Sequence, residues 1–66
     1  MIFIDFPRNL KALRKQTGLT QAEFAEKAGL NYSNIRDYEQ GIREPSFETL
    51  EKIKVALDCS YDDLLK

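Results

Sequence analysis

The fold is decided by residues 19–41, LTQAEFAEKAGLNYSNIRDYEQG. Near the start of this stretch, Thr20 and Glu23 have the spacing of a capping box, in which each side chain accepts a hydrogen bond from the other residue's backbone N–H. The pattern predicts a helix over about 21–28. Gly29 follows it directly, and glycine is the residue type that most often ends a helix. The first half of the stretch therefore predicts a short helix with a clear signal at both ends.

The second half of the stretch predicts another short helix. Asn31 is a favoured N-cap residue and Gly41 a favoured terminator, so this helix covers about 32–40. Only residues 29–31 separate the two helices. A turn this short requires the second helix to leave the first at a steep angle.

Three residues at fixed spacing fit such a crossing. Two helices at a steep angle need a small side chain where they meet, a residue free to adopt positive φ in the turn, and an apolar side chain from the second helix in the core. Ala25, Gly29 and Ile35 supply these three features in that order. Residues 21–40 therefore predict a helix-turn-helix motif.

Three further helices are predicted around this motif. One covers about 6–16; another covers about 47–57 after Ser46, and Ser60 opens a short fifth helix. The apolar stripe of the fourth helix comprises Phe47, Leu50, Ile53, Val55 or Ala56, and Leu57. The sequence thus predicts a compact all-α fold of five helices in a single domain that occupies residues 1–66.

The N-terminal segment IFIDF is the exception to this helical pattern. We expect residues 1–5 to form a short extended arm. One interpretation has the arm cover the core of its own domain, and the other has it pair as an edge strand with a second subunit. The segment is too short for a signal peptide or a membrane span, which predicts a cytoplasmic protein without membrane contact.

Composition narrows the possible chemistry. The chain has 66 residues, a net charge of −1, one cysteine and no histidine. One thiol without histidine supports neither a disulfide nor a zinc site, so we expect no metal, no cofactor and no enzymatic activity. Cys59 is expected to be a buried packing residue. The acidic excess lies in residues 46–66, which leaves the earlier part of the chain weakly basic.

Beyond the spacing, the chain resembles the phage-repressor-like helix-turn-helix family, of the lambda repressor and Cro type (XRE family), over roughly residues 8–65. The matching residues are Leu19, Thr20, Gln21, Phe24, Ala25, Gly29, Leu30, Asn31, Ile35, Glu39, Gly41, Pro45, Ser46 and Leu50. The chain departs from the family pattern at Asp58, where a glycine commonly follows the fourth helix. That departure affects the local geometry and not the fold.

The resemblance implies that the helix over about 32–40 reads bases in the major groove of double-stranded DNA. The candidate base-reading residues on its outward face are Tyr32, Ser33, Arg36 and Asp37. Arg36 has the donors for guanine, Asp37 can accept from cytosine N4, and Tyr32 can pack on a thymine methyl group or reach a phosphate. In the alternative interpretation, Asp37 only pairs with a nearby cation and Tyr32 is a surface aromatic.

The resemblance also implies contacts outside the base-reading set. The candidate phosphate-binding residues are Gln21, Asn31, Asn34 and Arg43. Lys15 and Lys27 either add long-range attraction or serve only solubility. In the family, a glutamate of the third helix forms an ion pair with an arginine of the first, and the matching residues here are Glu39 and Arg14.

Two functions follow from these expectations. The first is a sequence-specific DNA-binding transcriptional regulator that acts as a homodimer on an operator. The second is an antitoxin-like or other protein-interaction module of the same fold, which contacts a protein partner through its acidic C-terminal region and the IFIDF arm.

Overall fold

The computed structural model describes residues 5–66, which form five α-helices. The helices are α1 (Phe6–Thr17), α2 (Gln21–Ala28), α3 (Tyr32–Gln40), α4 (Phe47–Leu57) and α5 (Tyr61–Leu65). The predicted all-α fold is confirmed, and α1 is one residue longer than expected. The arm predicted for residues 1–5 falls mainly on residues 1–4, which lie outside the described residues; Asp5 is a turn residue directly before α1. No helix of residues 5–66 is long and apolar enough to cross a membrane.

Every helix contributes to one hydrophobic core. The buried apolar residues are Phe6, Leu10, Phe24, Ala25, Ile35, Tyr38, Leu50, Ile53, Ala56 and Leu64. Helix α1 packs against α3, α4 and α5, while α2 packs against α3 and α4. The rings of Phe6 and Tyr38 meet edge to face, with their centroids 6.2 Å apart. Because no single short helix could bury its apolar face alone, the five stabilise one another by packing.

The turn between α2 and α3 has the geometry that its residues predict. The capping box of Thr20 and Glu23 is present in both directions. Gly29 adopts a φ of 72°, in the left-handed region that glycine enters without steric cost. The next residue, Leu30, donates its backbone N–H to the carbonyl of Ala25 at 2.8 Å. These contacts fix the direction in which α3 leaves the turn, and Ile35 then enters the core fully buried.

Two residues predicted for the apolar stripe of α4 lie outside the core. Phe47 is 71 % exposed, so its assignment to the apolar stripe was wrong. Of the two alternatives Val55 and Ala56, Ala56 belongs to the core and Val55 is 70 % exposed. The buried arc of α4 is centred on Ile53. At about 100° per residue, Val55 is about 160° from Ile53 and Phe47 about 120° away. The ring of Phe47 stacks instead on Tyr61 of α5, with the centroids 6.0 Å apart.

Cys59 lies between α4 and α5, where it packs against the core but is only partly buried. Burial raises the pKa of the Cys59 thiol, and the negative charge of Asp63 adds to that rise. The thiol is therefore held in its protonated form at neutral pH, which is the form that packs and does not react.

Asp58 ends α4 in a conformation that glycine usually adopts. Its φ is 52°, and it is the only non-glycine residue with positive φ in residues 5–66. Its backbone N–H donates to the carbonyls of Lys54 and Val55. The chain therefore keeps the left-handed end of the helix without the family's glycine, at a steric cost that aspartate bears better than most residues.

Replacing Asp58 with glycine should raise the stability of the domain. We expect Asp58→Gly to gain about 0.5 kcal/mol, because the relief of the left-handed strain exceeds the extra freedom of glycine in the unfolded chain. Asp58→Val should lose about 1 kcal/mol or more, since a β-branched residue fits this φ poorly. Thermal unfolding followed by circular dichroism measures both. A lower melting temperature for Asp58→Gly would mean that the carboxylate itself stabilises the helix end.

Candidate nucleic-acid interface

Helix α3 is held by one face and presents the opposite face to solvent. Ile35 is fully buried and Tyr38 is 4 % exposed, so these two residues attach the helix to the core. Tyr32, Ser33 and Arg36 are exposed, as expected for residues that could reach a DNA groove. The guanidinium carbon of Arg36 lies 6.0 Å from the centroid of the Tyr32 ring, within the range of a cation–π contact.

Asp37 is the predicted base-reading residue whose surroundings differ from the other three. Its Oδ1 accepts hydrogen bonds from Nε and Nη2 of Arg36, both at 3.3 Å. Its Oδ2 lies 3.8 Å from Nε of Arg43, in the turn after α3. The side chain is only 17 % exposed. The pairing with cations that the alternative interpretation expected for Asp37 is therefore present.

The candidate phosphate-binding residues do not form one cluster. Gln21 is partly buried at the first position of α2, and its side-chain Nε2 donates to Oε1 of Glu39 at 3.0 Å. Asn31 occupies the N-cap position of α3, but its side chain makes no capping hydrogen bond, which corrects the expected role of that side chain. Asn34 is partly buried and Arg43 is exposed. Lys15 and Lys27 are exposed on α1 and α2.

The structure brings Arg14 and Glu39 together at the junction of three helices. Nε of Arg14 lies 2.6 Å from Oε2 of Glu39, and Nη2 donates to Oε1 at 3.1 Å. Nη1 of Arg14 donates to the carbonyl of Leu19 at 2.8 Å. The side chains of Arg14 and Glu39 are only 9 % and 2 % exposed. Together with Gln21, these contacts connect α1, the loop before α2, α2 and α3.

The Arg14 guanidinium carries a positive charge that Glu39 stabilises. The hydrogen bond to Glu39 raises the pKa of Arg14, burial acts in the opposite direction, and the attraction of the two charges adds to the rise. The guanidinium therefore stays protonated at every pH at which the domain folds. No buried side-chain nitrogen or oxygen in residues 5–66 lacks a hydrogen-bond partner.

The sequence interpretation missed two of these contacts. The first is the hydrogen bond from Gln21 to Glu39, which completes the ion pair. The second is the link from Asp37 to Arg43, six residues apart. A signal for it is present in the sequence, because Gly41 predicts a tight turn after α3 that returns the chain toward Asp37. Residues 5–66 contain no group of three or more histidine, cysteine or acidic residues that could hold a metal ion.

Two short helices joined by a three-residue turn that begins at Gly29, the second of them exposed along a polar face, define the class of helix-turn-helix proteins. The chain belongs to this family, whose model, described as helix-turn-helix, matches residues 10–64. The expected family resemblance is thereby confirmed.

Individual relatives agree with this assignment. The chain is 48 % identical over 61 residues to the HTH-type transcriptional regulator YqaE of Bacillus subtilis, which covers 92 % of this chain and 53 % of YqaE. It is 44 % identical over 50 residues to the immunity repressor protein of Bacillus phage phi105, covering 76 % of this chain and 35 % of the repressor. The chain thus spans about half the length, or less, of these curated relatives.

A solved structure gives the same result for the fold. The crystal structure of the restriction-modification controller protein C.AhdI from Aeromonas hydrophila has a TM-score of 0.87 and 32 % sequence identity to this chain. The match covers 94 % of this chain and 90 % of the controller protein. The five-helix arrangement is therefore shared over almost the whole of both chains.

Removing the buried carboxylate of Glu39 should destabilise the domain. We expect Glu39→Ala to cost about 3 kcal/mol, because it leaves the buried guanidinium of Arg14 without a counter-charge. Glu48→Ala, at an exposed position of α4, is the matched control and should cost less than about 1 kcal/mol. Thermal unfolding by circular dichroism compares the two, and equal melting temperatures would contradict the structural role of the ion pair. Glu39→Gln, which keeps shape and an acceptor, should fall between them.

Proposed function

We propose that the chain is a sequence-specific DNA-binding transcriptional regulator that places α3 in the major groove of its operator and acts as a dimer. The observation that carries the proposal is the exposed polar face of α3 in a chain of the helix-turn-helix family. The relatives that are named as transcriptional regulators and repressors support it. In this proposal the chain works in the cytoplasm and catalyses no reaction.

The proposed base contacts follow from the exposed face of α3. Arg36 has a fork of N–H donors that matches O6 and N7 of guanine, which is the commonest specific contact in the major groove. Tyr32 and Ser33, at the start of the helix, are placed to meet a thymine methyl group or a phosphate. The contact expected between Asp37 and the amino group of cytosine is not among these proposed contacts, because both oxygens of Asp37 face arginines.

The proposed phosphate contacts surround this face. Arg43 is exposed beside the end of α3, and Asn31 and Asn34 lie at its beginning. Gln21 uses one side-chain N–H for Glu39, which leaves the other N–H and the backbone at the start of α2 for a phosphate. Such contacts position the helix but carry no sequence information.

Selection of bound DNA sequences tests the base-reading role of Arg36. We expect the wild-type chain to select a defined motif and Arg36→Ala to lose the preference for guanine at one position of each half-site, at a cost of about 1–3 kcal/mol. Lys11→Ala, at an exposed position of α1, is a control that should leave the motif intact. An unchanged motif for Arg36→Ala would show that Arg36 does not read a base.

A salt titration on mixed-sequence duplex DNA tests the proposal as a whole. Binding through phosphates gives a negative slope of log affinity against log salt concentration. If the chain binds no DNA at low salt and stays monomeric throughout, the DNA-binding proposal fails and the protein-interaction module is favoured.

The dimeric part of the proposal has a candidate surface, the outer face of α4, which we define by Phe47, Glu51 and Val55. Its two apolar side chains are among the most exposed large hydrophobic residues of the described chain. Glu48 and Lys52 both lie along one side of this face, so charges of both signs are close to it. A second copy related by a two-fold axis could pair glutamate with lysine across the interface, whereas a strongly acidic or basic partner would gain little there.

Adding a charge to the outer face of α4 tests this surface. We expect Val55→Lys to shift the monomer–dimer equilibrium toward the monomer and to lower affinity for a two-half-site operator, because two lysines would meet across the axis. Gln16→Lys is matched in charge and in its exposed position in the last turn of a helix, and it should leave the equilibrium unchanged. Sedimentation equilibrium measures the association. An unaltered equilibrium for Val55→Lys would place the dimer interface elsewhere.

A further inference from the structure

Asp37 makes contacts that direct base reading does not require. It lies on the side of α3 that faces away from the core, yet its side chain is only 17 % exposed. Two guanidinium groups lie next to its carboxylate. Oδ1 faces Arg36 at 3.3 Å and Oδ2 faces Arg43 at 3.8 Å, so each oxygen meets a different arginine. These arginines are themselves 45 % and 57 % exposed, which leaves them accessible to a ligand.

The backbone of Asp37 brings Arg43 back toward α3. The carbonyl of Asp37 accepts the N–H of Gly41 and, at 3.0 Å, the N–H of Ile42. This double contact ends the helix and reverses the chain direction, so that Arg43 comes to lie beside the helix it has just left. The same residue therefore places Arg43 with its backbone and faces the guanidinium with its side chain.

These ion pairs are weak enough for DNA to replace Asp37 as the partner of the arginines. Exposed pairs of this kind each change an equilibrium constant by at most about fivefold, so they contribute little to folding. Their effect on the binding of a phosphate is larger than their effect on folding. A phosphate that approaches either arginine meets the carboxylate of Asp37 as a competitor for the same donors and as a like charge.

A guanine at the correct position does not compete with Asp37 for the same donors of Arg36. The hydrogen bonds to Asp37 use Nε and Nη2 of Arg36. Arginine has five N–H donors in a rigid plane, so Nη1 and the outer N–H of Nη2 stay available for a base. The contact with Asp37 also fixes the plane of the guanidinium, which lowers the entropy lost when the base is bound.

We propose that Asp37 is a positioning residue that orients Arg36 and restrains Arg43, and so weakens binding to mixed-sequence DNA relative to the operator. The inference rests on the proposed function, because it concerns the specificity of the same DNA-binding face. Asp37 contacts no base in this arrangement; it acts through the two arginines.

The experiment compares Asp37→Asn with Glu44→Gln in the full chain. Both variants remove one negative charge, and Glu44 is exposed next to Arg43, so the pair is matched in net charge and in place. Each protein is titrated with a selected operator duplex and a mixed-sequence duplex over a range of salt concentrations. Circular dichroism first checks that each variant keeps the melting temperature of the wild type.

For Asp37→Asn we expect affinity for mixed-sequence DNA to rise by about fivefold, the combined value of two weak pairs. The slope of log affinity against log salt should become steeper by about 0.9 for each arginine that gains a phosphate. Affinity for the operator should stay level or fall, so the ratio of operator to mixed-sequence affinity decreases. Glu44→Gln should produce a smaller change in affinity and no decrease in that ratio.

A variant without the two arginines separates positioning from simple charge. In an Arg36→Ala, Arg43→Ala background, adding Asp37→Asn should have no effect beyond that of Glu44→Gln, because the carboxylate has lost the groups through which it acts. A full effect in that background overturns the inference. The inference is also overturned if Asp37→Asn behaves like Glu44→Gln. It is overturned as well if Asp37→Asn only relaxes the preference at a single base pair, because that is the result expected for direct reading of cytosine.

A measurement without DNA keeps this inference separable from the proposed function. In NMR spectra of the free protein, the Nε–H proton of Arg36, which donates to Oδ1 of Asp37, should exchange with water more slowly in the wild type than in Asp37→Asn. Equal exchange rates overturn the restraint even if the chain binds DNA. Slower exchange in a wild-type chain that binds no DNA would instead overturn the proposed function, and with it the role of Asp37 in specificity.

Discussion

The buried ion pair between Arg14 and Glu39 is the interaction on which the arrangement of the other helices depends. It joins α1 to α3, and the contacts of the same side chains with Leu19 and Gln21 include the start of α2. A buried pair of this kind gains little net free energy over apolar residues of the same shape. Its hydrogen bonds, however, are directional, so they restrict the orientation of α3 relative to α1 and α2. The orientation of the exposed face of α3 follows from that restriction.

The two acidic residues of α3 both form ion pairs with arginine, but in different environments. Glu39 is paired inside the domain, where the partners are almost completely shielded from water. Asp37 is paired at the surface with two arginines that remain partly exposed. The formal charge of the helix is therefore a poor guide to the potential at its outer face. The charges near that face are those of an Asp37 carboxylate between two guanidinium groups, which together carry a net positive charge.

Local signals explain why most of the fold could be predicted from the sequence. Capping boxes, the glycine after α2 and the apolar Ile35 act within one or two turns of a helix, so their effect is visible in neighbouring letters. The predictions of burial failed where tertiary packing decides which apolar residues enter the core. Phe47 and Val55 are apolar, but the arc of α4 that docks on α1 and α2 excludes them. The cluster around Asp37 was missed because it depends on how the chain turns after Gly41, and no pattern within α3 contains Arg43.

The small size of the domain places core residues and solvent-facing residues side by side on the nine-residue helix α3. Arg36 and Asp37 face outward, while the next two residues, Tyr38 and Glu39, pack inward or pair with Arg14. Positions 32, 33 and 36 can therefore change without disturbing a core contact, and under the proposed function they are the positions where a change would alter the preference for DNA. Position 37 is constrained from both sides, because its carbonyl ends the helix and its carboxylate holds two cations. A substitution there keeps the carbonyl and removes the carboxylate, so it changes the charge and the orientation of Arg36 together.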